Sequence, residues 1–248
     1  MEKLLNKAKD IKIIFFDIDD TLRVKDTGFM PASLTHIFEI LHQKGILTGI
    51  ATGRNLCGVV PEIKALHPDF FVTANGAYVI DKSDQVIYKQ SLPQKVVLDI
   101  VQWLTTSSAE YVVYGADQVV ASAWSDTMQS AIEPIYGQLP IDPDYHLTHD
   151  IFQMVTMSEH DDQLTLPEKL SESVRMVRWH EHSSDIVPLN GSKAVGVSQV
   201  LDQLGLSVEN VMNFGDGLND VELFDLGGLS VAMKVSHPTI LEMADYIT

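Results

Sequence analysis

The sequence predicts an α/β protein: a doubly wound parallel sheet with helices on both faces, interrupted by an inserted α+β domain. Three observations predict it. A short, unbroken apolar run at 13–16 and buried-type strands at 46–51, 69–73 and 211–214 alternate with stretches of helical spacing. Between the third and fourth runs the texture shifts to paired short strands and turn residues, then shifts back. The first and last runs open directly into loops crowded with carboxylates. In open α/β sheets the carboxyl ends of the strands are where ligands gather.

The elements follow in order. Residues 1–11 read as a short charged lead-in, and Ile13-Ile14-Phe15-Phe16 as a strand buried on both faces. Leu34, Ile37, Phe38 and Leu41 recur at helical spacing, with Gly45 as the stop. A second strand, 46–51, runs into Thr52-Gly53-Arg54, where a helix is expected to begin, and a third strand, 69–73, precedes Asn75-Gly76-Ala77. Tyr78–Ile80 and Val86–Gln90, split by Asp81-Lys82-Ser83-Asp84, read as a hairpin. A helix at 96–104, strands within 111–122, a loop at 137–150, a strand at 151–158, a helix at 163–170 and strands at 174–179 and 185–189 complete the insert. The first texture then returns: helix 192–204, strand 211–214, helix 221–226, strand 229–233, helix 238–243 and a last short strand at 246–247. The expected division is a core of 1–80 and 189–248 around an insert of 81–188, an ordinary size for a domain.

The bulk numbers narrow the function. The 248 residues carry a formal net charge of −17, with a pI near 4.7. That balance argues against nucleic acid or an anionic membrane surface as the main partner. A lone cysteine, Cys57, excludes a disulfide framework, and it is expected to be a small buried residue. No apolar run is long enough to span a bilayer, and the N-terminus shows no secretory pattern. A cytoplasmic protein acting on a small molecule is expected, with its oligomeric state open.

The chemistry gathers at the strand tips. Asp17, Asp19 and Asp20 follow the first strand, and a fold tolerates such a cluster when a cation neutralises it. The last long strand ends in Gly215-Asp216-Gly217-Leu218-Asn219-Asp220. Two adjacent parallel strands would bring Asp17, Asp216 and Asp220 together as hard oxygen ligands for Mg²⁺. Thr52 offers a hydroxyl and a backbone N–H to a phosphoryl oxygen. Lys193 offers a compact positive charge. Such a set suits phosphoryl transfer, with Asp17 as nucleophile and Asp19 as proton donor and acceptor.

Asp17-Ile18-Asp19-Asp20-Thr21-Leu22, Ala51-Thr52-Gly53-Arg54, Lys193 in Gly191-Ser192-Lys193-Ala194, and the 215–220 loop together resemble the four motifs of the haloacid dehalogenase-like (HAD) phosphohydrolases, in order. The insert between the second and third motifs is similar to the large α+β cap of the Cof-like branch. The resemblance implies a Mg²⁺-dependent phosphatase of small phosphate esters, sugar phosphates or similar, working through an aspartyl phosphate. It implies Asp17 and Asp19 as catalytic residues. It implies metal ligation by Asp17, Asp19 through its carbonyl, and Asp216, with Asp220 supporting. It implies phosphate binding by Thr52, Gly53, Lys193 and Asn219, with Asn75 as a substrate-side candidate. Asp20 stands where many members have glycine, and Lys234-Val235-Ser236 where the branch has Gly-Asn-Ala. Two alternatives use the same residues: a phosphomutase that returns the phosphoryl group to another hydroxyl, and a non-catalytic phospho-receiver or effector-binding protein. A receiver would be shorter and would give Asp19 no purpose.

Overall fold

The computed structural model describes residues 2–248. In chain order the elements are α1 (Glu2–Lys9), β1 (Ile13–Phe16), α2 (Ser33–Gln43), β2 (Leu47–Ala51), α3 (Pro61–Lys64), β3 (Phe70–Thr73), β4 (Tyr78–Asp81) and β5 (Val86–Lys89). Then come α4 (Gln94–Thr106), β6 (Glu110–Tyr114), β7 (Val119–Ala121), α5 (Asp126–Ala131), α6 (Glu133–Tyr136), β8 (Gln153–Met157), α7 (Glu168–Ser171), β9 (Val174–His180) and β10 (Ser183–Pro188). The chain closes with α8 (Lys193–Leu204), β11 (Val211–Gly215), α9 (Val221–Asp225), β12 (Leu229–Ala232), α10 (Pro238–Met243) and β13 (Tyr246–Ile247).

The strands form two sheets. The first has the order β13-β12-β11-β1-β2-β3-β4-β5 and is parallel from β13 through β3. The second has the order β7-β6-β8-β10-β9 and is antiparallel. All four residues of β1 are buried, as an apolar run covered on both faces requires. Its neighbours are β2 and β11, with Phe16 level with Ile50 and Phe214. This register brings the tips of β1 and β11 side by side.

The chain divides into two compact units. One comprises residues up to 53, Val59–Tyr88 and Ser192–Thr248; the other comprises Arg54–Gly58 and Lys89–Gly191. The core of the first includes Ile13, Phe15, Val72, Val79, Val197 and Val211. The core of the second includes Ile100, Leu104, Val113, Met154 and Ile186.

Several expectations shift. The 78–90 hairpin extends the first sheet, β4 pairing antiparallel with the free edge of β3. Apart from Arg54–Gly58, the second unit therefore runs from Lys89 to Gly191, where 81–188 is the expected span. The charged lead-in is mostly helix, tied down where Lys7 donates to Asp245 at 2.8 Å and to the Gly228 carbonyl at 2.9 Å. The helix expected at 163–170 is confined to α7. Pro167 precedes α7, and a proline restricts the residue before it away from helical geometry. Cys57 is exposed, not buried. No helix among the described residues is long and apolar enough to cross a membrane.

Candidate active site

Helix α8 places the cation. The Ser192 side chain caps it by accepting the Val195 N–H, and Gly205, in the left-handed region at φ 64°, ends it. Its first turn lies hard against the loop after β3. A Cβ on Gly76 (φ 92°) would fall 2.0 Å from the Ser192 carbonyl oxygen, so only glycine permits this approach. Lys193 follows directly and is 0% exposed.

Its ammonium is fully engaged. Nζ donates to Asp17 Oδ1 at 2.8 Å and to Asp220 Oδ1 at 2.7 Å. The other oxygen of Asp220 accepts the backbone N–H groups of Asp216 (3.0 Å) and Gly217 (3.1 Å). Asp220 thus folds its own loop and anchors the lysine at once. Asp216 Oδ1 accepts the Thr21 hydroxyl at 2.8 Å, which joins the loop after β1 to the loop after β11. The Asp216 carbonyl accepts the His237 N–H at 2.8 Å, and the Ser236 hydroxyl donates to the Gly215 carbonyl at 3.4 Å. The 233–237 turn therefore braces the Asp216 loop through Ser236 and the backbone.

One carboxylate oxygen from each of Asp17, Asp216 and Asp220 lies within 4.8 Å of the other two. Burial raises the Asp17 pKa well above the usual carboxylate value; Lys193 offsets this in part, and Asp220, Asp216 and Asp19 add to it. Burial, then the Asp220 charge, pushes Asp216 up to about 7. Burial works against the Lys193 ammonium, but the Asp17 and Asp220 charges outweigh it and hold its pKa above the ordinary lysine value. Three clustered carboxylates with one ammonium leave excess negative charge on hard oxygen donors. That donor set fits a divalent cation such as Mg²⁺.

A stability prediction follows from these shifts. Free aspartates titrate near 4, whereas folded Asp216 keeps its proton to about 7. Between those values the folded state binds more protons, so stability falls as pH rises from about 4 through about 7. A cation must displace those protons. Chelated protein should melt at lower temperature at about pH 8 than at about pH 5, and Mg²⁺ should raise the melting temperature more at the higher pH. A Mg²⁺ effect equal at both pH values would contradict the charge-cluster account.

Other expected residues are placed as follows. Gly53, Asn75 and Asn219 converge. Asn219 Nδ2 donates to Asn75 Oδ1 at 3.0 Å, and a Cβ on Gly53 would lie 3.2 Å from Asn75 Oδ1 and 3.4 Å from Asn219 Nδ2. Asn75 itself is left-handed, at φ 50°. Thr52 is buried, but its N–H donates to the Val72 carbonyl at 2.9 Å, so the expected backbone donor is spent on the sheet. No helix starts at Gly53; a single 3₁₀ turn at Leu56–Gly58 follows instead. Arg54 is buried and donates to the Gly58 carbonyl at 2.8 Å. Asp19 lies outside the Asp17–Asp216–Asp220 triad and is partly exposed, with the Arg23 guanidinium 3.9 Å away.

Asp20 now has a physical reason. Its φ is 57°, in the left-handed region where glycine is at ease and aspartate is among the better-tolerated side chains. Its carboxylate accepts the Lys25 N–H at 2.9 Å and so ties the loop down. Thr21, Arg23 and Ser236 escaped the sequence reading. A hydroxyl and a guanidinium so soon after clustered carboxylates were the available signal.

A model of the haloacid dehalogenase-like hydrolases matches residues 14–248. The chain belongs to that family. A Streptococcus pyogenes protein assigned by name as a bifunctional phosphatase/peptidyl-prolyl cis-trans isomerase is 50% identical over 99% of this chain, which spans 52% of that protein. The chain thus covers about half the length of that relative. YkrA of Bacillus subtilis, assigned by name as a phosphatase, is 31% identical over 96% of this chain and 92% of its own length. Among solved structures, a hypothetical protein from Geobacillus kaustophilus is 32% identical, with a TM-score of 0.85 over 96% of this chain and 93% of that one.

Proposed function

We propose that this haloacid dehalogenase-like hydrolase is a Mg²⁺-dependent phosphatase of small phosphorylated metabolites that works through a phosphorylated Asp17. The observation that carries the reading is the contact between Asp17 and a fully buried Lys193, with Asp216 and Asp220 beside it. Family membership and the phosphatase names of the relatives support it.

One Asp17 oxygen attacks phosphorus and the P–O ester bond breaks. Asp19, two residues on and closer to solvent, gives its proton to the departing oxygen. It then takes a proton from water, whose oxygen attacks phosphorus. The Asp17–phosphorus bond breaks, inorganic phosphate departs and both aspartates are restored. Lys193 holds Asp17 in place and limits its repulsion with the incoming phosphate. Asp17, Asp216 and the Asp19 carbonyl would hold Mg²⁺, which when bound neutralises charge on the phosphoryl oxygens. Asp220 supports these ligands through Lys193 and the loop amides. Thr52, Gly53, Asn75 and Asn219 line the phosphate side. We assign substrate selection to the second unit, and cytoplasmic small-molecule esters to the substrate class, since a net charge of −17 disfavours nucleic acid.

The test is release of inorganic phosphate from a panel of sugar phosphates and an aryl phosphate, with Mg²⁺ and with chelator. Metal-dependent release into water is expected. Transfer to a second alcohol without free phosphate would make the protein a mutase, and no turnover of any ester by folded, Mg²⁺-loaded protein would sink the reading.

A further inference from the structure

We propose that Arg23, a residue outside the family motifs, is a positioning residue for the Asp19 carboxylate. The inference rests on the reading of Asp19 as the acid/base and extends it to a second side chain.

The backbone comes first. Arg23 and Asp19 are β-bridge partners. The Arg23 N–H donates to the Ile18 carbonyl at 2.9 Å, and the Arg23 carbonyl accepts the Asp20 N–H at 2.7 Å. The residues on either side of Asp19 are therefore both tied to the backbone of Arg23. Any shift of Arg23 is a shift of Asp19.

The side chain then returns to the same residue. Arg23 Nη1 lies 3.9 Å from Asp19 Oδ1, with the two side chains 18% and 24% exposed. That is too long for a direct hydrogen bond but within range of charge attraction, and partial burial weakens screening. The guanidinium rests on the backbone of Gly28, whose φ is 68°; a Cβ there would fall 2.7 Å from Arg23 Nη2 and 3.3 Å from Cζ. Gly28 is held in turn, its N–H donating to the Val24 carbonyl at 2.8 Å, while the Val24 N–H donates to the Phe29 carbonyl at 2.9 Å. This loop gives Arg23 a fixed seat. Lys193 is committed to Asp17 and Asp220, and the Arg23 guanidinium supplies a second positive charge that biases the orientation of Asp19.

The function of such a bias is to keep one Asp19 oxygen aimed at the departing oxygen. That matters for an alkyl ester, whose alkoxide is a poor leaving group and needs the proton. It matters little for 4-nitrophenyl phosphate, whose phenolate leaves without one. The second step, in which Asp19 activates water, is common to both esters, so a misaligned acid costs rate selectively in the first step, the release of the alcohol or phenol.

The experiment compares wild type, Arg23→Ala, Arg23→Gln, Arg23→Lys and Asp19→Ala on a hexose 6-phosphate and on 4-nitrophenyl phosphate, with Mg²⁺. In single turnover, with enzyme in excess, Arg23→Ala and Arg23→Gln should lose about tenfold or more in the rate of alcohol release from the alkyl ester but less than about threefold in the rate of 4-nitrophenolate release. Arg23→Lys should recover most of the loss. The glutamine variant keeps a polar, uncharged side chain with part of the arginine stem and guards against a folding defect, which a thermal melt would expose. Equal losses on both esters, or none, would overturn the proposal. The ester-selective loss with Asp19→Ala but not with the Arg23 variants would remove this inference alone; its absence with Asp19→Ala would remove the acid/base reading beneath it.

Discussion

Asp17→Asn is expected to abolish phosphate release while making the metal-free protein more stable. The rate loss should be on the order of 10⁴-fold or more, the scale seen when a nucleophile is removed from a set of residues acting as a unit. Asparagine fills the same volume and can still accept from Lys193, so the fold should persist. The stability gain comes from the raised pKa of Asp17, which shows that the fold disfavours its charged form. Burial and three neighbouring carboxylates outweigh the single lysine. In chelator at about pH 8 the variant should melt higher than wild type, and the added stability from Mg²⁺ should shrink. A lower melting temperature in chelator would mean that the Asp17–Lys193 pair stabilises more than the cluster costs. A site arranged this way trades stability for function.

Lys193→Met tests the opposite charge and should have the largest effect on stability. The lysine is 0% exposed and bonds two buried carboxylates at 2.8 and 2.7 Å. Methionine is similar in bulk but leaves both acids without their cation. Removing one partner of a buried ion pair costs about 3–5 kcal/mol. For a chain of this size that amounts to a fall of roughly 10 °C in melting temperature. The deficit should be greatest at about pH 8 and smaller at about pH 5, where the orphaned carboxylates can take up protons. A melting temperature unchanged at the higher pH would refute the buried-pair account. Activity should fall with it, because Asp17 loses the group that fixes its position.

What the sequence disclosed of this site depended on locality. β1 could be read from four consecutive apolar residues, because a strand covered on both faces needs no alternation. α8 could be read from its amphipathic spacing. The meeting of Asp17 with Asp216 and Asp220 could be anticipated because adjacent parallel strands put their tips together. Other features depend on contacts that no local pattern encodes. The Thr52 amide is taken by Val72, a partner on the next strand. The 78–89 hairpin has the same texture whether it begins a new sheet or extends the old one, and only the free edge of β3 decides between them. Asp20 looked like a surplus carboxylate until its backbone angle was known. Arg23 carries no local signal either, because its link to Asp19 is a bridge that exists only in the fold.

The short segment Arg54–Gly58 bears on how such proteins can be recombined. It is separated from the rest of the second unit by residues 59–88, yet it packs with that unit. Asn55 Nδ2 donates to the Gly115 carbonyl at 2.5 Å, and the Tyr136 hydroxyl accepts the Asn55 N–H at 3.0 Å. The second unit, to which we assign substrate selection, is thus encoded in two pieces, and the smaller one follows Thr52-Gly53 without a break. A chimera that imports only 89–191 from a relative would splice a foreign domain onto a native clasp with mismatched partners. A graft intended to exchange substrate preference should carry 54–58 as well, and drift in one piece is expected to be matched by drift in the other.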